Sequence, residues 1–194
     1  MRVAPALVCL LLAGCGGAGP GPTLFVLAGS ASPANSTTRQ AGLPIVEVKP
    51  VQLPSYLDTT DLLVRGPGGQ IVPSRTSRWG ERLSDGFTRA LTTDLAVLLP
   101  RMAFTSNSPI ERPARQVLVD VESFEATLDR GVVLVARWTV TDGAARSTLT
   151  SERVSIAIPL ANSGDAAVVT AMTHAVLDLA GHIAPALTSS RRRG

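Results

Sequence analysis

Cysteine, lysine and aromatic residues are all scarce. There are two cysteines, Cys9 and Cys15, and one lysine, Lys49. Aromatics make up 4% of the chain: four Phe, two Trp and one Tyr. A paired-cysteine framework is excluded, because Cys9 lies in a short apolar N-terminal run and leaves Cys15 alone. Thiol catalysis goes with it if Cys15 is modified. The basic residues are nearly all scattered arginines without interleaved aromatics, so no nucleic-acid stripe is present. No Gly-x-Ser-x-Gly elbow occurs, and Lys49 has no Ser three residues before it. Gly66-Pro67-Gly68-Gly69 is no phosphate loop, since no Lys-Ser/Thr follows it.

The chain begins with one positive residue, Arg2, and an apolar run, Val3 to Leu12. Such a run is too short to span a bilayer, which takes roughly 20 residues. Leu12-Ala13-Gly14-Cys15 closes it, with an aliphatic residue three positions before a cysteine and small residues between. This is the pattern of a lipobox, which makes residues 1–14 a signal peptide and Cys15 the lipidated N-terminus. The other reading is an ordinary secretory signal with an incidental cysteine. Gly16 follows where similar lipoproteins held at the inner membrane carry Asp, which implies sorting to the outer membrane, facing the periplasm. Residues 15–22 form a Gly/Pro-rich tether. The remaining length suits one domain, placed at 23–188, with a basic tail at 189–194. Arg191-Arg192-Arg193 in that tail is either solvated or drawn to anionic head groups.

Thr23 to Ala28 and Ile45 to Val51 have strand character, and residues 29–42 between them read as a long loop. Leu62 to Arg65 and Gln70 to Ser74 flank the glycine cluster as a hairpin. Ser77 is expected to cap a helix from Arg78 to about Leu99, with Trp79, Leu83, Phe87, Leu91, Leu95 and Leu98 as its buried stripe. Pro100 stops it. Met102 to Thr105 is a short strand. Three long strands then form a meander. Val117, Val119 and Val121 share a face in the first, and Leu128 to Gly131 turns the chain. Val132 to Thr141 is the second strand, and Asp142-Gly143 leads to the third, Thr148 to Ile158. Asn162 or Ser163 would cap a second helix, buried through Val168, Met172, Ala175, Leu179 and Ile183, and ended by Pro185. The predicted fold is α+β: a two-layer domain, mainly antiparallel sheet with two amphipathic helices packed on one face.

Few residues carry possible chemistry. His174, Asp178 and His182 share one helix face and could ligate a metal, but no further element supplies a closing ligand, so a solvent face is preferred and no metal or other cofactor is assigned. Asp120 and Glu122 point to one side of a strand, an ordinary surface pattern. No catalytic residue is assigned. Tyr56 and Leu57, in a Pro-flanked loop, form an aromatic–aliphatic pair that either docks a partner or closes one end of the core. Leu62 joins them as a candidate interface residue, and so does Trp79, for which a core position is the preferred reading.

Taken in order, several blocks resemble the ABC-type transport auxiliary lipoproteins, the PqiC/YmbA-like group. They are the lipobox and Thr23 to Leu27, Val46-Glu47-Val48 through Leu53-Pro54-Ser55-Tyr56-Leu57-Asp58, and Leu62 to Arg65. Arg78-Trp79-Gly80-Glu81-Arg82-Leu83 follows, running into a helix that ends Leu98-Leu99-Pro100, then Val117 to Phe124 and Val132 to Trp138. The chain departs from the pattern at Arg82, where the family often has Pro, and at Thr59, where it often has a basic residue. The resemblance implies a non-enzymatic outer-membrane subunit of an intermembrane lipid transport system. Its expected partner is an MCE-domain protein that bridges the periplasm, and it is expected to form a homo-oligomer. A structural adaptor resembling the N-terminal domain of TolB-type proteins is the alternative.

Overall fold

A computed structural model describes residues 21–29, 42–127 and 130–189. Cys15 and the lipobox, most of the tether, most of the 29–42 loop, Leu128, Asp129 and the tail arginines lie outside the described residues.

Eight strands form one sheet with two helices: β1 (Thr23–Phe25), β2 (Ile45–Val48), β3 (Asp61–Arg65), β4 (Ile71–Trp79), α1 (Leu83–Leu98), β5 (Ala103–Thr105), β6 (Arg115–Thr127), β7 (Gly131–Asp142), β8 (Thr148–Ile158) and α2 (Asp165–Thr188). The α+β architecture is as the periodicities predict. The long meander β6–β7–β8 is antiparallel throughout. Its inward side chains, among them Val119, Val121, Ala136, Trp138 and Ile156, bury one face. Both helices cover that face. Phe87 of α1 meets Phe124 of β6 edge to face, with ring centroids 5.3 Å apart. The predicted α2 stripe, Val168, Met172, Ala175, Leu179 and Ile183, is buried. By length and composition alone α2 could cross a membrane, but here its apolar stripe forms the second layer of the core.

A bulge at Glu122 divides β6. Val121 pairs with Ala136 and Ser123 with Val135, so Glu122 is an extra residue. Inward residues are odd-numbered before it (Val117, Val119, Val121) and even-numbered after it (Phe124, Ala126). Without the bulge, period two would turn Phe124 to solvent. Glu122 itself faces out and pairs with Arg153, with Oε2 and Nη2 2.7 Å apart.

Four pairings are parallel: β1 with β4, β2 with β5, and both β2 and β3 with β6. β2 and β3 occupy the same edge of β6. β2 lies along Arg115–Val117 and β3 along Ala126–Thr127, with Gln52 bridging to Asp120 between them. The segment between Gln52 and Asp61 therefore loops out of the sheet edge.

The helix boundaries differ from expectation. Trp79 ends β4 rather than starting a helix: its N–H donates to Thr60 O at 2.8 Å, and Phe25 pairs beside it. Ser77 does not cap α1, since it lies within β4, six residues before Leu83. Leu98 is exposed, and Leu99 takes the place against the core. The residue before α2 is Gly164, at φ +103°, not Asn162 or Ser163. Pro185 lies inside α2, which runs on to Thr188; its missing N–H forfeits the bond to Gly181 O, and the helix ends three residues later.

Candidate docking surface

The looped-out segment is built on Pro54. Leu57 N–H donates to Pro54 O at 2.9 Å and Thr59 N–H to Leu57 O at 2.8 Å, a tight turn that sends successive side chains to opposite sides. Leu57 enters the core and is 2% exposed, while Tyr56 points outward and is 44% exposed. Leu62, on β3, is 1% exposed and Trp79 4%. Of the four candidate interface residues, only Tyr56 offers surface. Leu57, Leu62 and Trp79 are core side chains of this one chain: for Leu57 and Trp79 this is the core alternative the sequence left open, and for Leu62 burial replaces the interface expectation. An aromatic or aliphatic residue beside a proline signals burial and docking equally well, so pattern alone could not separate them.

Tyr56 is held in place. Its hydroxyl donates to Glu125 Oε1 at 2.5 Å. The Arg65 fork grips the same carboxylate through Nε and Nη2, and Arg65 Nη1 donates to Gly69 O at 2.9 Å in the β3–β4 turn. Hydrogen bonds from Arg65 hold the Glu125 carboxyl below its usual range. Burial, and then the bond to this carboxylate, push the Tyr56 phenol up. An aromatic ring pinned by a bidentate ion pair is a pre-organised contact that loses little side-chain freedom on binding.

Beyond Tyr56 the loop stitches two of the resemblance blocks together. Asp58 Oδ1 accepts from the Ser84 N–H at 3.2 Å, and Asp58 Oδ2 lies 3.0 Å from Arg82 Nη2. The first turn of α1 is thus capped by a carboxylate from the β2–β3 loop, not by a residue at its own N-terminus. Leu83 N–H donates to Thr59 O at 3.2 Å, and Arg78 lies 3.5 Å from Asp61. Burial acts to raise the Asp58 pKa, but the bonds from Ser84 and Arg82 outweigh it and hold the carboxyl low. Arg82 has φ −61° and ψ 143°, values that a proline ring would also adopt.

A second polar centre, missed in the sequence, lies at the other end of β6. Glu47 is buried and accepts from Lys49 Nζ at 2.5 Å and Gln116 Nε2 at 2.6 Å. These two residues, with Arg112, Arg146 and a fully exposed Ile110, border an open cleft of about 430 Å³. The wide sequence separation of Glu47 and Gln116 left no local signal. His174, Asp178 and His182 are exposed on the outer face of α2, and no metal-holding group of three forms among the described residues. Asp120 and Glu122 both face solvent.

The family model for the ABC-type transport auxiliary lipoprotein component matches residues 25–184. The chain belongs to this family. That stretch runs from the end of β1 to the last turn of α2, so the family pattern covers both layers and the loop that carries Tyr56 and Asp58. The auxiliary component also has structural relatives. A Xanthomonas campestris protein of the DUF330 family superposes with a TM-score of 0.60 at 16% identity, over 84% of this chain and 90% of that one. A crystal structure of an uncharacterized protein gives a TM-score of 0.73 at 15% identity, over 87% and 100%. At these identities the likeness is one of fold. No curated protein matches significantly.

Proposed function

We propose that the chain is an outer-membrane lipoprotein, anchored through Cys15, that serves an MCE-type, ABC-linked intermembrane lipid transport system. It docks the periplasm-spanning MCE-domain component at the outer membrane and so supports membrane integrity. It does so as a homo-oligomer without chemistry of its own. The observation that carries this reading is the family match across residues 25–184, downstream of a lipobox. Tyr56, exposed yet fixed through Glu125 and Arg65, is the docking residue the geometry favours.

The test is capture of the tagged full-length lipoprotein from gently solubilised envelopes, with partners identified by mass spectrometry. The expected result is recovery of an MCE-domain protein by the wild type and its loss with Tyr56→Asp at unchanged protein level. Cys15→Ser should leave the domain folded but release it from the membrane fraction. Recovery of cell-wall or secretion components without an MCE-domain protein would overturn the transport reading in favour of a TolB-like adaptor.

A further inference from the structure

The anchoring proposed above has a geometric consequence for β1. Cys15 precedes Thr23 by eight residues, a span of at most about 28 Å fully extended. For a Gly-rich chain of that length the mean reach is only about 16 Å. Thr23 pairs with Ser77, and Ser74 Oγ and Thr76 Oγ1 bind Asp165 at 2.6 and 3.2 Å. The chain therefore enters the domain where β4 meets the start of α2. Ile110 and the β7–β8 turn lie instead beyond Arg115, where β6 begins, whereas β1 is joined through β4 to β3, which pairs with β6 at Ala126–Thr127, near its other end.

β1 has the composition of a surface meant to meet lipid. It is bonded to β4 on one side, and its Leu24 is 65% exposed. Val26, just after it, is 52% exposed. Phe25 and Leu27 between and after them turn inward, so the outward apolar pair is not needed for the core. Arg78 sits beside Leu24 in register, still exposed although it lies 3.5 Å from Asp61, and Arg75 lies exposed further along β4. Apolar side chains next to arginines, a few residues from an acyl anchor, match a bilayer interface with anionic head groups.

We infer that Leu24 and Val26 insert into the bilayer surface to which Cys15 is tethered, fixing the domain with β1 toward the membrane and the Ile110 end away from it. The inference rests on the lipid-anchor reading. It is tested with the full lipidated protein in vesicles of phosphatidylethanolamine and phosphatidylglycerol. Leu24→Cys, Leu118→Cys and Ile110→Cys each place one free thiol in the processed chain for an environment-sensitive fluorophore. The expected result is a blue shift of the Leu24 probe on reconstitution and its quenching by nitroxide-bearing lipid, with no shift or quenching at Leu118 or Ile110. A Leu24 probe that stays water-like while the protein floats with vesicles overturns the inference and leaves the anchor standing. So does a blue shift without quenching, which would mean that protein rather than lipid covers β1. Quenching at Ile110 instead reverses the orientation. Failure of the wild type to float removes the anchor reading and this inference together.

Discussion

Asp58 provides the sharpest test of how the domain is assembled. Its carboxylate binds the N–H of Ser84, in the first turn of α1, and the Arg82 guanidinium. Removing a capping acceptor costs about 1 kcal/mol, within a range of 0.5–2. The ion pair adds little: the Arg82 side chain is 62% exposed, which places the pair near the low end of the roughly 0–1 kcal/mol found for surface bridges. Asp58→Ala should therefore cost about 1–1.5 kcal/mol in all, a fall in Tm of roughly 3–5 °C for a domain of this size. Asp58→Asn keeps an acceptor oxygen and should lose less than half of that. The measurement is thermal and urea unfolding of both variants with Arg82→Ala and the double variant. The coupling between Asp58 and Arg82 should be below about 0.5 kcal/mol. An Asp58→Ala protein as stable as wild type, or an Arg82→Ala loss as large as that of Asp58→Ala, would refute the capping account.

Three further outcomes follow from the same geometry. Gly131 has φ +88°, and a Cβ there would lie 2.2 Å from Ile158 O, so Gly131→Ala should destabilise by at least about 2 kcal/mol in urea unfolding. Arg82→Pro should unfold within about 1 kcal/mol of wild type, because the backbone is already proline-like and the lost ion pair is exposed. Hydrogen bonds from Arg65 lower the folded pKa of Glu125, so its stabilisation is present above the ordinary carboxylate range and lost as pH falls through the depressed folded value. Glu125→Gln should accordingly be less stable at neutral pH, with a shallower loss on acidification, read as Tm against pH.

The meander was legible in the sequence because two signals coincide there, alternation in Val132 to Thr141 and the Asp142-Gly143 turn. The helices were legible from their stripes, but the start of α1 was not. Trp79 stands four residues before Leu83, which stands four before Phe87, so the helical spacing carries across a strand–helix junction without a break. Only Gly80 marked the change: a Cβ there would come 3.3 Å from Val26 Cγ1. The parallel pairings had no local signature at all. β1, β2 and β5 were each read as strands, but nothing local named the strand each would join, because their partners lie far away in sequence. The same distance hid the Tyr56–Glu125–Arg65 arrangement, since Tyr56 and Glu125 are 69 residues apart.

What the resemblance blocks encode is assembly more than a binding face. Leu57 and Trp79 are core residues, Asp58 caps α1, Arg82 holds Asp58, and Trp79 N–H closes on Thr60 O. Each of these groups is committed within the chain. A polar substitution at the core positions Leu57 or Trp79 would remove partner binding by unfolding the junction, and a binding assay alone would mistake that for a lost contact. Leu57→Asp is the clear case: it would place a charge in a site that is 2% exposed, with a cost of several kcal/mol. Tyr56 differs because it is 44% exposed and its hydroxyl is tied to the Glu125–Arg65 pair. Tyr56→Phe severs that tie and keeps the ring, whereas Tyr56→Asp removes the ring. A docking role predicts that partner recovery survives the first change and fails with the second, at nearly equal Tm. Equal recovery from both would return Tyr56 to the ordinary surface and move the docking face elsewhere on the domain.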